Sequence, residues 1–103
     1  MAIIRQVTIR LTPSGVLSYA PIVGASNAAT VSSALEGFVR TASFELMPRG
    51  IRLNIMSPTI TQETFPKSRS TFAGFDPVPA SRVALAYRRS IEGPETGKEY
   101  RVW

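Results

Sequence analysis

Few side chains in these 103 residues could do chemistry. Histidine and cysteine are both absent. That removes the side chain titrating nearest neutrality, together with thiolate nucleophiles, thiolate metal sites and disulfides. Ser-His-Asp and Cys-His mechanisms are therefore excluded within one chain. Hydroxyls remain. Ser14 stands in Thr12-Pro13-Ser14-Gly15, a turn cluster where a serine ordinarily satisfies neighbouring backbone groups. Tyr19, in the loop that follows, could supply a phenol, although an exposed loop position is its ordinary reading. Cradling a pyrophosphate needs a glycine-rich strand-to-helix turn. None exists here, because Gly15, Gly24, Gly37, Gly50, Gly74, Gly93 and Gly97 are isolated from one another.

The net charge of +5 comes from ten Arg and two Lys against seven acids. Phosphate-backbone binding needs clustered cations. Here Arg5, Arg10, Arg40, Arg49, Arg52, Arg69, Arg82 and Arg101 stand singly, and only Arg88-Arg89 are adjacent. The charge reads as a solvated surface, and no nucleic-acid partner is expected. No apolar run approaches the roughly 20 residues that span a bilayer. Met-Ala-Ile-Ile-Arg at the start is too short an apolar stretch for a signal peptide. The expectation is a cytoplasmic protein with no membrane partner. At 44% hydrophobic and 18% charged, the chain can fold as one domain over residues 1–103. A core of this size often completes itself by oligomerising.

The elements that must position these groups follow from periodicity. Ile3 to Leu11 is rich in β-branched residues, with Val7, Ile9 and Leu11 alternating, and reads as a strand that stops at the Thr12–Gly15 turn. A long helix is predicted from Ser26 or Asn27, either serving as N-cap, to Met47. Val31, Leu35, Phe38, Ala42 and Leu46 give it one apolar stripe. Pro48-Arg49-Gly50 ends it. A strand follows at Ile51–Met56, ended by Ser57-Pro58-Thr59. Residues 61–75 read as an extended loop, a length often found in functional lids. A second helix is predicted from Pro79 or Ala80 to Ser90, and an alternating strand over Lys98–Trp103. Two right-handed crossovers would join three parallel strands into an α/β sheet.

Several blocks, taken in order, resemble the short-chain dehydrogenase/reductase family. Ala34-Leu35-Glu36-Gly37-Phe38-Val39-Arg40, Glu45-Leu46 and Pro48-Arg49-Gly50-Ile51-Arg52-Leu53-Asn54 are similar to its long central helix and the next strand. Ser57-Pro58-Thr59 stands where its members usually carry Pro-Gly. Thr96-Gly97 is similar to the start of their last strand. The resemblance covers nearly the whole chain and corresponds to the family's C-terminal half. It implies a partial Rossmann-like, doubly wound parallel sheet of about three strands and two helices. It implies an NAD(P)-dependent oxidoreductase acting on a small carbonyl or alcohol substrate, and a homo-oligomer formed through the Asn27–Met47 helix or an exposed strand edge.

The resemblance also assigns roles. Ser14 matches the serine that hydrogen-bonds the substrate oxygen, the one catalytic residue expected. Pro58, Thr59, Ile60 and Thr61 match the segment whose backbone meets the nicotinamide end of the cofactor, and Asn54 matches a structural asparagine. In the family a Tyr, with a Lys four residues later to lower its pKa, shuttles the substrate's proton. Aligned on Ala34–Phe38, those two positions hold Ala28 and Ser32, which can do neither task. Cofactor binding by the chain alone is expected to be weak or absent. The alternative expectation is a non-catalytic remnant that serves as an oligomerisation or interaction module.

Overall fold

The computed structural model describes residues 5–10 and 15–103. Three strands, two long helices and one short helix follow in chain order. They are β1 (Arg5–Arg10), α1 (Ser26–Leu46), β2 (Ile51–Pro58), α2 (Phe65–Ser68), α3 (Ala80–Glu92) and β3 (Glu99–Val102). All strands run parallel, in the order β1-β2-β3. Val7 pairs with Leu53, Ile9 with Ile55, and Ile55 with Glu99. The central strand β2 is therefore hydrogen-bonded on both sides, and it is buried continuously from Leu53 to Pro58. A strand covered on both faces needs such a run rather than alternation.

The helices cover opposite faces. Leu53 and Ile55 pack with Val39 and Ala42 of α1. Asn54, pointing the other way, donates from Nδ2 to Ser90 Oγ of α3 at 2.9 Å. Val102 joins Val78 and Val83 on that second face. In a monotonic parallel order, two crossovers of the same hand would place both helices on one face. One of the two is thus left-handed, against the usual rule. The expectation of two right-handed crossovers is corrected on this point, and the layering is doubly wound even in a three-stranded sheet.

Helix α1 is rotated from its expected orientation. Its buried residues are Ser32, Glu36, Val39, Ala42 and Ser43, with Leu35 and Leu46 partly buried. Val31 and Phe38 of the expected stripe are 56% and 55% exposed. Polar groups can face the sheet because partners await them there, as Ser18 Oγ does for the Glu36 carboxylate at 2.7 Å. The helix begins at Ser26 with Ala25 in the cap position and no side-chain cap bond. It ends in a 3-10 turn at Met47–Arg49, as the Pro-Arg-Gly signal implies.

The stretch expected as an extended loop is partly structured. Thr61 bridges to Val78, α2 forms one turn, and Phe72 is buried against Val16, Leu17 and Ile60. Its hydrophobic residues are spaced too irregularly to show as a period. Gly97, which opens the last strand, has φ 70 and donates its N–H to Leu53 O at 2.8 Å. A Cβ there would lie 2.7 Å from Ser43 Oγ.

Candidate active site

Open parallel sheets present ligands at the carboxyl ends of their strands, where connecting loops diverge. Pro58 closes β2 opposite Val102. The Thr59 N–H then donates to Val102 O at 3.0 Å, so the chain continues in line with the sheet for one more residue. Ile60 O accepts from Val78 N at 3.1 Å, and Gln62 N donates to Val78 O at 2.8 Å. These bonds fix Pro58–Thr61 as a rigid, mostly buried segment. The N–H groups of Ile60 and Thr61 have no acceptor among the described residues.

Ser14 lies outside the described residues. Its neighbour Gly15 crosses the end of β2 so closely that a Cβ would fall 2.7 Å from Ser57 Cα. Only glycine permits that approach. Ser57 Oγ, buried beside it, has no partner among the described residues. Ala28, at the first turn of α1, packs against the apolar cluster of Val16, Leu17, Ile60 and Phe72. Ser32, one turn on, is buried. Both therefore turn inward, Ala28 onto the cluster that contains Ile60; Ala28 has no proton to give and Ser32 has no charge.

Beside this segment opens an apolar cavity of about 440 Å³. Val16, Ala20, Phe75 and Trp103 line it together with Tyr19, Thr59 and Asp76. The Tyr19 and Trp103 rings lie 5.4 Å apart, with the Arg101 guanidinium 4.7 Å above the tyrosine ring.

A cluster of ionisable groups backs Tyr19. Its Oη donates to Glu99, with carboxylate oxygens at 2.7 and 3.0 Å. Arg101 Nη2 donates to the same Oη at 3.2 Å, and Arg101 Nε to Glu99 at 2.9 Å. Glu36, buried on α1, accepts from Ser18 Oγ at 2.7 Å. Burial pushes the Glu36 carboxyl above its ordinary range; the Ser18 hydroxyl opposes this and the Glu99 charge adds to it. Burial and the bond to Glu99 raise the Tyr19 phenol, against the pull of Arg101. On the opposite face Tyr100 is pushed up to about 12, chiefly by burial and then by Glu95.

The structure brings Ala28 and Ile60 into one apolar cluster, and it gathers Glu99, Arg101 and Trp103 around Tyr19, a grouping the sequence reading did not make. The signal was present in two places. Ser32, Glu36, Val39 and Ser43 share one helical face by spacing. The alternation of the last strand sets Glu99 and Arg101 opposite Tyr100 and Val102. Among the described residues, no group of three or more metal-ligating side chains occurs, and no helix is long and apolar enough to cross a membrane.

Comparison with solved structures gives close matches. The protein lin1944 from Listeria innocua superposes with a TM-score of 0.88 at 39% identity, over 95% of this chain and 47% of that one. A short chain dehydrogenase from Burkholderia cenocepacia in complex with NADP matches with a TM-score of 0.68 at 26% identity, over 94% and 43%. A small-chain dehydrogenase in complex with NADPH gives 0.72 at 24%, over 94% and 48%. The chain spans about half the length of these structures. No family model and no curated protein matches the sequence.

Proposed function

We propose, for a chain that belongs to the short-chain dehydrogenase/reductase family and spans about half of its members' length, the role of substrate-side half of an NAD(P)-dependent oxidoreductase. In this reading it presents the nicotinamide end of the cofactor to a small apolar carbonyl or alcohol. A dinucleotide-binding half supplies the pyrophosphate and adenosine sites. The observation that carries the proposal is the Pro58–Thr61 segment. It leaves the end of the central strand with two N–H donors, on Ile60 and Thr61, that have no acceptor among the described residues, next to the cavity that Thr59 lines.

These donors fit a nicotinamide carboxamide, which offers an oxygen acceptor. Nothing in the described residues fits a pyrophosphate, since no glycine-rich turn leads into a helix. When bound, the cofactor supplies or accepts hydride. This chain's part is to hold the ring by backbone bonds at Ile60 and Thr61, to exclude water with Val16, Phe75 and Trp103, and to manage the substrate's proton. Ser14, at the turn before Gly15, is assigned to hydrogen-bond the substrate oxygen.

The chain is further proposed to self-associate. Val31, Ala34 and Phe38 form an exposed apolar ridge on α1, and β3 is a sheet edge. A second reading, the non-catalytic remnant, is favoured by Ala28 and Ser32, which leave the first turns of α1 without a phenol or an amine where the family carries its Tyr and Lys.

The test is an amide-resolved NMR titration with reduced nicotinamide mononucleotide, which carries the nicotinamide end alone. The expected result is saturable shifts at the Ile60 and Thr61 amides and the Trp103 indole at millimolar ligand. Shifts elsewhere, or none, would favour the remnant.

A further inference from the structure

We propose that the cavity beside Pro58–Thr61 selects a substrate whose carbonyl or alcohol is joined to an alkylated ammonium, held by Tyr19, Phe75 and Trp103 and balanced by Asp76. The inference rests on the oxidoreductase reading above and deepens it by naming the substrate class. Thr59, which leads into the Ile60 and Thr61 donors, lines the same cavity. A ligand there lies against the segment which that reading assigns to nicotinamide.

Three of the residues lining the cavity are aromatic. Tyr19 and Trp103 are 45% and 42% exposed, with their rings 5.4 Å apart and tilted by 43°. The Tyr19 hydroxyl donates to Glu99, which leaves the ring as what this residue offers a ligand. Phe75 is held in a T-shaped contact with the buried Phe72, ring centroids 5.3 Å apart. Aromatic faces carry the negative end of a quadrupole, and several of them around one space attract alkylated ammonium ions.

The charge at the cavity has the matching sign. Asp76 is the carboxylate among its lining residues, and it makes no hydrogen bond or ion pair among the described residues. Arg101 lies 4.7 and 6.0 Å from the Tyr19 and Trp103 ring centroids but is not part of the lining. Glu99, at 2.9 Å, balances its charge. Asp76 is then the uncompensated charge at this place. The chain's net charge of +5 opposes a cation only at long range, which physiological salt screens beyond about 8 Å. The lining also decides which cation fits. A bare ammonium brings N–H donors that need acceptors, and the side chains of Val16, Ala20, Phe75 and Trp103 supply none. An alkylated ammonium presents methyl groups to them and strands no donor.

Trp103, the chain's single tryptophan, reports on the cavity from within its lining. The experiment titrates its emission in the purified chain with three alcohols. They are choline, ethanolamine and dimethylbutanol, the last being choline with carbon in place of nitrogen. Choline should saturate the signal at millimolar concentration and bind about tenfold more tightly than dimethylbutanol. Ethanolamine, with its bare ammonium, should bind more weakly than choline. Asp76→Asn, at an exposed position, should weaken choline about threefold and leave dimethylbutanol unchanged. Equal affinity for choline and dimethylbutanol overturns the inference. So does ethanolamine binding as tightly as choline, or choline binding that Asp76→Asn does not weaken. Reduced nicotinamide mononucleotide at the Ile60 and Thr61 amides judges the functional reading separately. Amide shifts without cation preference overturn the inference alone. Cation preference without amide shifts overturns the functional reading, and the substrate assignment with it.

Discussion

Asn54 shows how much one buried side chain can organise. It is fully buried on β2, donates to Ser90 Oγ at 2.9 Å and Glu95 O at 3.0 Å, and accepts from Lys98 N at 3.0 Å. One amide thereby ties α3 and the turn into β3 to the central strand. Asn54→Ala removes all three bonds from a fully buried position and should cost about 3 kcal/mol of unfolding free energy by urea titration. Glu36 contributes in the other sense. Burial raises its carboxyl in the folded chain, so the folded state holds that proton more tightly than the unfolded one. Its stabilisation is complete below the ordinary glutamate value and is lost as pH rises through the raised value. Glu36→Gln keeps an acceptor for Ser18 and removes the ionisation. Its stability should fall less steeply than wild type from mildly acid to neutral pH. Equal slopes would refute the coupling. The resemblance of the surrounding motif to the family made Asn54 legible as structural in the sequence. Glu36 was not, because its charged neighbour on β3 lies 63 residues away and leaves no local trace.

At the scale of elements, every strand and both long helices were legible, since β-branched alternation and the Pro-Arg-Gly stop are local signals. Which way α1 faces was not. Of the stripe Val31, Leu35, Phe38, Ala42 and Leu46, the sheet takes Leu35, Ala42 and Leu46 and leaves Val31 and Phe38 exposed, because the buried face is turned partly toward Glu36 and Val39. There Ser32, Glu36 and Ser43 meet partners that only the fold supplies. The leftover ridge has a consequence for assembly. Phe38→Lys should change stability by no more than about 0.5 kcal/mol, because the side chain is 55% exposed. It should nonetheless shift sedimentation from oligomer to monomer. A wild-type chain that is monomeric at micromolar concentration would contradict the proposed interface. Crossover hand was equally hidden, because sequence order alone does not say on which face α3 lies. Gly97 marks where that layering is tightest. Gly97→Ala must hold φ near 70 and press on Ser43 Oγ, at a cost of about 1–2 kcal/mol in the same urea assay.

For the whole molecule, the sheet stops at β1 among the described residues, and the solved relatives are about twice as long. In the proposed reading the nicotinamide contacts and the cavity lie on this chain, while its seven glycines stand apart and form no glycine-rich turn. Ser14 remains assigned by family position alone. The most direct measurement compares two ligands on the purified chain, NADPH and reduced nicotinamide mononucleotide, through quenching of Trp103 at the cavity wall. The account predicts that both bind, at millimolar concentration and within a small factor of each other, because the adenosine and pyrophosphate find no site here. NADPH binding orders of magnitude tighter, or no quenching by either ligand, would contradict it.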